Sequence, residues 1–163
     1  MSGFTILPDA LTRFTTAREY RLGQRYTDPS TDFTYEYGQF LDAVTYAAGQ
    51  PLQRAHATSF KVTNDISGGS ALTAARPAGI CLGVPTQNQY GWVLRFGYYA
   101  TVVTNGDDDI AAGDAIIVGA SDGVVDSVAA ATTTVHTKAV GYAPAVDVDA
   151  DNTVGVWVDC LHN

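Results

Sequence analysis

The sequence predicts an all-β protein, a small barrel or sandwich of short antiparallel strands behind an extended N-terminal arm. Three observations carry that expectation. Between Ala78 and Ala130, runs rich in Val, Ile, Tyr, Trp and Thr are separated by glycine turns, and such side chains suit a pleated, half-buried surface. Asn105-Gly106 and Asp122-Gly123 supply the positive-φ residues of tight hairpins. No segment of about eleven residues or more carries an apolar stripe at helical spacing free of glycine and β-branched runs.

Taken in order, residues 1–19 carry Pro8, scattered threonines and no clean period, so they read as an arm with one helical turn near Pro8–Phe14. Residues 20–163 read as one domain. Tyr20–Tyr26 looks like a short strand and Asp28-Pro29-Ser30-Thr31-Asp32 is a turn by composition. Phe33–Phe40 alternates large and polar side chains, the pattern of a strand with one wet face. The stretch 58–76, with Ser67-Gly68-Gly69-Ser70, reads as a flexible insertion.

Two echoes suggest an internal duplication. Ala47-Ala48-Gly49-Gln50 is followed by an apolar strand start, as is Ala111-Ala112-Gly113-Asp114. Gly83-Val84-Pro85 leading to Gly91-Trp92-Val93 resembles Gly141-Tyr142-Ala143-Pro144 leading to Gly155-Val156-Trp157-Val158. Two similar β-modules closing one barrel would produce both.

The chain has 163 residues, is 46% hydrophobic and carries a formal net charge of −8, enough for one well-cored domain. An acidic chain is a poor ligand for nucleic acid, whose phosphates are bound mainly by Lys and Arg. The charge is uneven. Residues 1–25 hold Arg13, Arg18, Arg21 and Arg25 against Asp9 and Glu19, whereas from Phe96 onward ten aspartates face one lysine. One reading is a solvated acidic face; the sharper one is a basic arm that docks on an acidic neighbour. The start lacks the pattern of a secretory leader, and no apolar run is long enough to cross a bilayer, so a soluble site of synthesis without a membrane partner is expected.

Residues with catalytic chemistry are sparse: Glu19 and Glu36, His56, His136 and His162, and Cys81 and Cys160. The cysteines sit in strand-like runs as buried thiols, and Cys81 lacks the surroundings of a cysteine nucleophile. Asp107-Asp108-Asp109 and Asp147, Asp149 and Asp151 offer oxygen ligands without the closing Glu and Gly bend of a calcium loop. No catalytic, cofactor or metal site is expected from these residues.

The ordered series Tyr20-Arg21-Leu22-Gly23, Tyr46–Leu52, Gly83-Val84 to Tyr90-Gly91-Trp92-Val93-Leu94, Ala111–Asp114, Asp122–Asp126 and Val140–Ala143 ending in Val156-Trp157-Val158 resembles the capsid decoration, or cement, proteins of tailed bacteriophages. That resemblance implies a β-barrel or β-tulip core and a non-enzymatic virion protein, made in the host cytoplasm, on the outer surface of the capsid. It further implies a homotrimer that bridges subunits of the major capsid protein. On this expectation Arg13, Arg18, Arg21 and Arg25 contact the capsid with Phe4, Ile6, Leu7 and Phe14 as apolar anchors. Tyr98 and Tyr99 are candidates for a subunit interface, since one of two neighbouring rings on a strand must face away from the core. The alternative is a virion surface module that recognises a host glycan or receptor through Tyr90, Trp92, Tyr98 and Tyr99. A small hydrolase is disfavoured by the scarcity of Glu and His.

Overall fold

The computed structural model describes Ile6 and residues 8–41, 45–55, 60–65, 76–104, 106, 109–119, 121–128, 139–146 and 152–161. One helical turn, α1 (Pro8–Leu11), precedes ten strands: β1 (Arg25–Thr27), β2 (Thr34–Phe40), β3 (Pro51–Arg54), β4 (Lys61–Thr63), β5 (Pro77–Cys81), β6 (Tyr90–Val103), β7 (Ala115–Val118), β8 (Val125–Val128), β9 (Ala139–Tyr142) and β10 (Thr153–Asp159). Their order in the sheet is β1-β2-β4-β3-β5-β6-β10-β9-β7-β8, and an added β2–β6 pairing closes β2, β4, β3, β5 and β6 into a five-stranded barrel. The fold is therefore all-β, as expected. One pairing departs from antiparallel, since β2 and β4 run parallel with Phe40 opposite Val62.

From β4 to β8 the order reads 4-3-5-6 and then 10-9-7-8, which is the same four-stranded module written twice. The hydrogen bonds repeat with it. Gln50 N donates to Ala47 O and the Gln50 side-chain oxygen accepts from Ala47 N at 2.9 Å; Asp114 N and its carboxylate do the same with Ala111, also at 2.9 Å. Gly49 and Gly113 take φ of 86° and 92°, where a side chain would be strained. Gly49 N and Gln50 O pair with the backbone of Cys81, and Gly113 N and Asp114 O pair with that of Ala143. Each following strand then carries a bulge after its second residue, Leu52 or Ile116, opposite Gly79 or Gly141. A Cβ on Gly79 would strike Leu94 O, and one on Gly141 would strike Trp157 O.

These matches fix the correspondence. Ile80 pairs with Leu94 as Tyr142 pairs with Trp157. The second echo in the sequence is therefore out of register: Leu94, not Trp92, occupies the place of Trp157, and Gly79-Ile80-Cys81, not Gly83-Val84-Pro85, matches Gly141-Tyr142-Ala143. The two modules do not close one barrel together. The first closes with β2, and the second stacks on it.

Five inner positions show how both halves are cored. Leu52, Val62, Ala78, Cys81 and Val93 lie inside the barrel with Phe40 and Tyr46. Their counterparts Ile116, Val125, Val140, Ala143 and Val156 belong to a larger cluster with Tyr35, Tyr37, Ile80, Trp92 and Leu94, the residues on the barrel's outer face. Burying these aliphatic and aromatic side chains, at about 1.5–3 kcal/mol each, is what joins barrel and second module into one body. β6 serves both halves: its first part pairs with β2 and β5, its last part with β10. It changes partner at Gly97, whose φ of 132° and close approach to the Phe33 ring, 2.5 Å from where a Cβ would stand, leave room for glycine alone.

Several local expectations are revised. Arg25–Thr27 alone forms β1, not the whole of Tyr20–Tyr26. Asp122-Gly123 does turn β7 into β8, with Gly123 at φ 69°. Gly106 shares that φ, but the strands flanking it, β6 and β7, are not partners, so no hairpin forms there; Asn105 lies outside the described residues. Within 58–76, Lys61–Thr63 builds a barrel strand. β2 has no wet face: Thr34, Glu36 and Gly38 are buried along with the tyrosines.

Candidate functional site

The segment read as an arm lies on the body over its described length. Ile6 is buried in the large core cluster, and Ala10 and Leu11 pack against it. The Phe14 ring meets Phe40 edge-on at 5.4 Å and fills the space over Gly83 and Gly91, while Thr15 exchanges backbone hydrogen bonds with Tyr90. The apolar surface of Ile6 and Phe14 is thus spent inside the chain. Phe4 and Leu7 lie outside the described residues. The four arginines behave differently. Arg13, Arg18, Arg21 and Arg25 are all exposed. Arg13 pairs with Glu19 at 2.7 Å, a solvated pair of little energetic weight. Arg21 borders an open recess of about 380 Å³ with Leu22, Gly23, Gln24 and Phe60. Residues 13–25 therefore present a basic strip on an acidic molecule.

Arg25 is also the outermost member of a charged cluster that the sequence does not announce. On β2 the inner position before Gly38 and Phe40 is Glu36, placed inside the barrel. Its Oε1 accepts from Arg54 Nη2 at 2.6 Å and its Oε2 from Arg25 Nε at 3.3 Å. Arg95 Nη1 stands 3.6 Å from Oε1, and Arg95 Nη2 donates to the backbone oxygen of Cys160. Arg95 is fully buried, so loss of solvent pulls its guanidinium below the usual arginine value, with Glu36 opposing that shift. Arg54 in turn lies over the Phe60 ring, its guanidinium carbon 5.1 Å from the centroid. One carboxylate thus ties β1, β3 and β6 to β2, and the arrangement holds the barrel shut.

Of the two tyrosines proposed for an interface, Tyr98 is 41% exposed, whereas Tyr99 packs against the large cluster and burial raises its phenol pKa. Trp92 is buried in the core and cannot offer a ring to a ligand; Tyr90 is half-buried and stacks with Tyr37. The exposed aromatic surface lies elsewhere. Register pairs Tyr98 with Trp157, Trp157 with Tyr142, Tyr142 with Ala115 and Ala115 with Val128. Directly paired residues share a face, so these five form one row across β6, β10, β9, β7 and β8. Tyr142 is 45% exposed.

Both thiols are buried, and burial pushes each up to about 12, so each stays protonated at neutral pH. Among the described residues no three His, Cys, Asp or Glu side chains gather in metal-binding geometry, and no helix is long and apolar enough to cross a membrane. His56, His136, His162, Asp107, Asp108, Asp147, Asp149 and Asp151 lie outside the described residues. Comparison with family models, curated proteins and solved structures finds no match to the chain.

Proposed function

We propose that this is a non-enzymatic virion protein that decorates the exterior of a phage capsid and stabilises it by bridging subunits of the major capsid protein. The observation that carries the reading is the basic strip: four exposed arginines on one continuous segment, fastened along a rigid β-body whose remaining charge is acidic. A bridging protein needs stiffness between its contacts and polarity that orients it on its lattice. The closed barrel, the second module stacked on it and the Glu36 cluster supply the first; the strip supplies the second. The resemblance to cement proteins points the same way, and it brings the expectation of a homotrimer at the outer surface of the head.

The strip, more than apolar anchoring, is where this reading places the capsid contact, since Ile6 and Phe14 are occupied within the fold. Reversing two of its charges, Arg18→Glu with Arg21→Glu, leaves the core untouched and is expected to lower occupancy on expanded heads by about tenfold or more, as suits the loss of about 1.4 kcal/mol. Quantifying the bound protein per particle by gel densitometry checks this. Decoration at wild-type occupancy overturns the strip model. Mass in solution and on the particle tests the trimer.

A further inference from the structure

In the row Tyr98–Trp157–Tyr142 the two tyrosines are exposed and Trp157 is half-buried between them, at the place where the first module is covered. Ile80 and Leu94, the counterparts of Tyr142 and Trp157, are fully buried beneath the second module. On this face of the second module Phe33 touches the edge of Trp157 while Tyr98 and Tyr142 stay exposed, and the side chains there are aromatic instead of aliphatic.

The geometry points to a binding surface for a neutral, extended polysaccharide chain. Sugar rings present flat arrays of C–H groups that pack on aromatic faces, with hydroxyls left to hydrogen-bond at the rim, and the row meets each requirement. The Tyr98 ring lies down across β10, because Gly155 has no side chain: a Cβ there would stand 2.5 Å from the Tyr98 hydroxyl and 3.2 Å from its ring. Tyr98 and Trp157 are tilted by only 30° to each other, with centroids 6.5 Å apart. Phe33 and Phe96 meet Trp157 edge-on at 88° and 90°, bracing the indole before any ligand arrives, and such pre-ordering lowers the entropy lost on binding. Successive strands lie about 4.8 Å apart, so Tyr98 and Tyr142 are separated by about 10 Å, which suits contact with alternate rings of an extended chain.

Charge decides between occupants. The row itself carries no ionisable acid or base apart from the tyrosine hydroxyls, and Asp159, opposite Phe96 on the same face, is an acceptor for sugar hydroxyls. On a chain of net charge −8, a polyanion meets repulsion here, and a neutral glycan does not.

The test uses the whole protein with cellohexaose, chitohexaose and maltohexaose, read by tryptophan fluorescence, since Trp92 is buried and Trp157 reports on the face. Saturable binding of at least one of them is expected, weakened about tenfold or more in Tyr142→Ala and in Tyr98→Ala with melting temperatures close to wild type. No response from any of the three up to millimolar sugar overturns the proposal. So does undiminished binding by the double variant. A wild-type oligomer that falls to monomers in Tyr142→Ala by sedimentation also overturns it and assigns the row to a second copy. Because neither Tyr98 nor Tyr142 belongs to residues 13–25, head occupancy of the same variants separates failure here from failure of the decoration reading.

Discussion

Ile80 and Tyr142 hold the same place in two copies of one module, and so do Arg95 and Val158. The first copy buries Ile80 and hides an arginine in its interior; the second exposes Tyr142 and fills the matching interior position with valine. The difference follows from what lies alongside. β2 runs beside the first copy, closes it into a barrel and brings Glu36, so arginines at 54 and 95 have a buried carboxylate to face. Among the described residues the second copy has no such strand, and its counterparts of Arg54 and Arg95 are Val118 and Val158. Identical backbone pairing therefore tolerates opposite interiors, provided that each charge finds a partner.

The sharpest way to break this contrast is Glu36→Gln, which strips the carboxylate from three guanidiniums. A loss of about 3–5 kcal/mol in chemical denaturation is expected, because buried charges are left uncompensated; a change below 1 kcal/mol would show that the cluster does not hold the barrel. Next come the paired glycines. Gly79→Ala and Gly141→Ala each drive a methyl into a carbonyl oxygen of the neighbouring strand, and each is expected to cost about 2 kcal/mol or more by thermal unfolding. If only one of the two is costly, the modules are not equivalent at that place. Removing the matched turn acceptors, Gln50→Ala and Asp114→Ala, is expected to cost about 1 kcal/mol apiece.

Smaller effects follow from titration. Both thiols are raised from 9.0 to about 12, so the unfolded chain ionises first; stability held below pH 9.0 declines as the pH climbs toward about 12. A thiol reagent at neutral pH should accordingly label neither Cys81 nor Cys160 until denaturant is added. Asp28 shifts the other way. Hydrogen bonds from the Ser30 backbone and hydroxyl lower its carboxyl below 3.8, so its contribution is present above that value and disappears as the pH falls through the folded pKa. Acid titration followed by NMR, with Asp28→Asn as the control, reads it directly.

The duplicated turn was legible because it is written in chemistry: Ala-Ala-Gly followed by a side-chain acceptor dictates the same hydrogen bonds in both copies. The register of the strands that follow was not. Tryptophan is conspicuous, and matching Trp92 to Trp157 is natural on the page, yet the strands align through Gly79 and Gly141, whose role is visible only when the neighbouring carbonyl is in place. Glu36 misled for a related reason. Alternating large and polar residues look alike whether the polar side meets water or arginines inside a barrel. β4 is not legible in the sequence because three residues, parallel to β2 and antiparallel to β3, carry no periodicity of their own. The exposed row was hidden for the same cause, since its members come from separate strands and meet only through pairing.

One consequence of β6 concerns mechanics. Its fourteen residues run unbroken from the barrel into the second module, anchored by β2 and β5 at one end and by β10 at the other. Traction that separates the two halves along this shared strand loads many backbone bonds together in shear, whereas peeling β8 away from β7 opens their pairing one bond after another. Resistance to stretching is therefore directional, greatest along the axis of β6, and a protein clamped with that axis across a seam would oppose its widening most strongly.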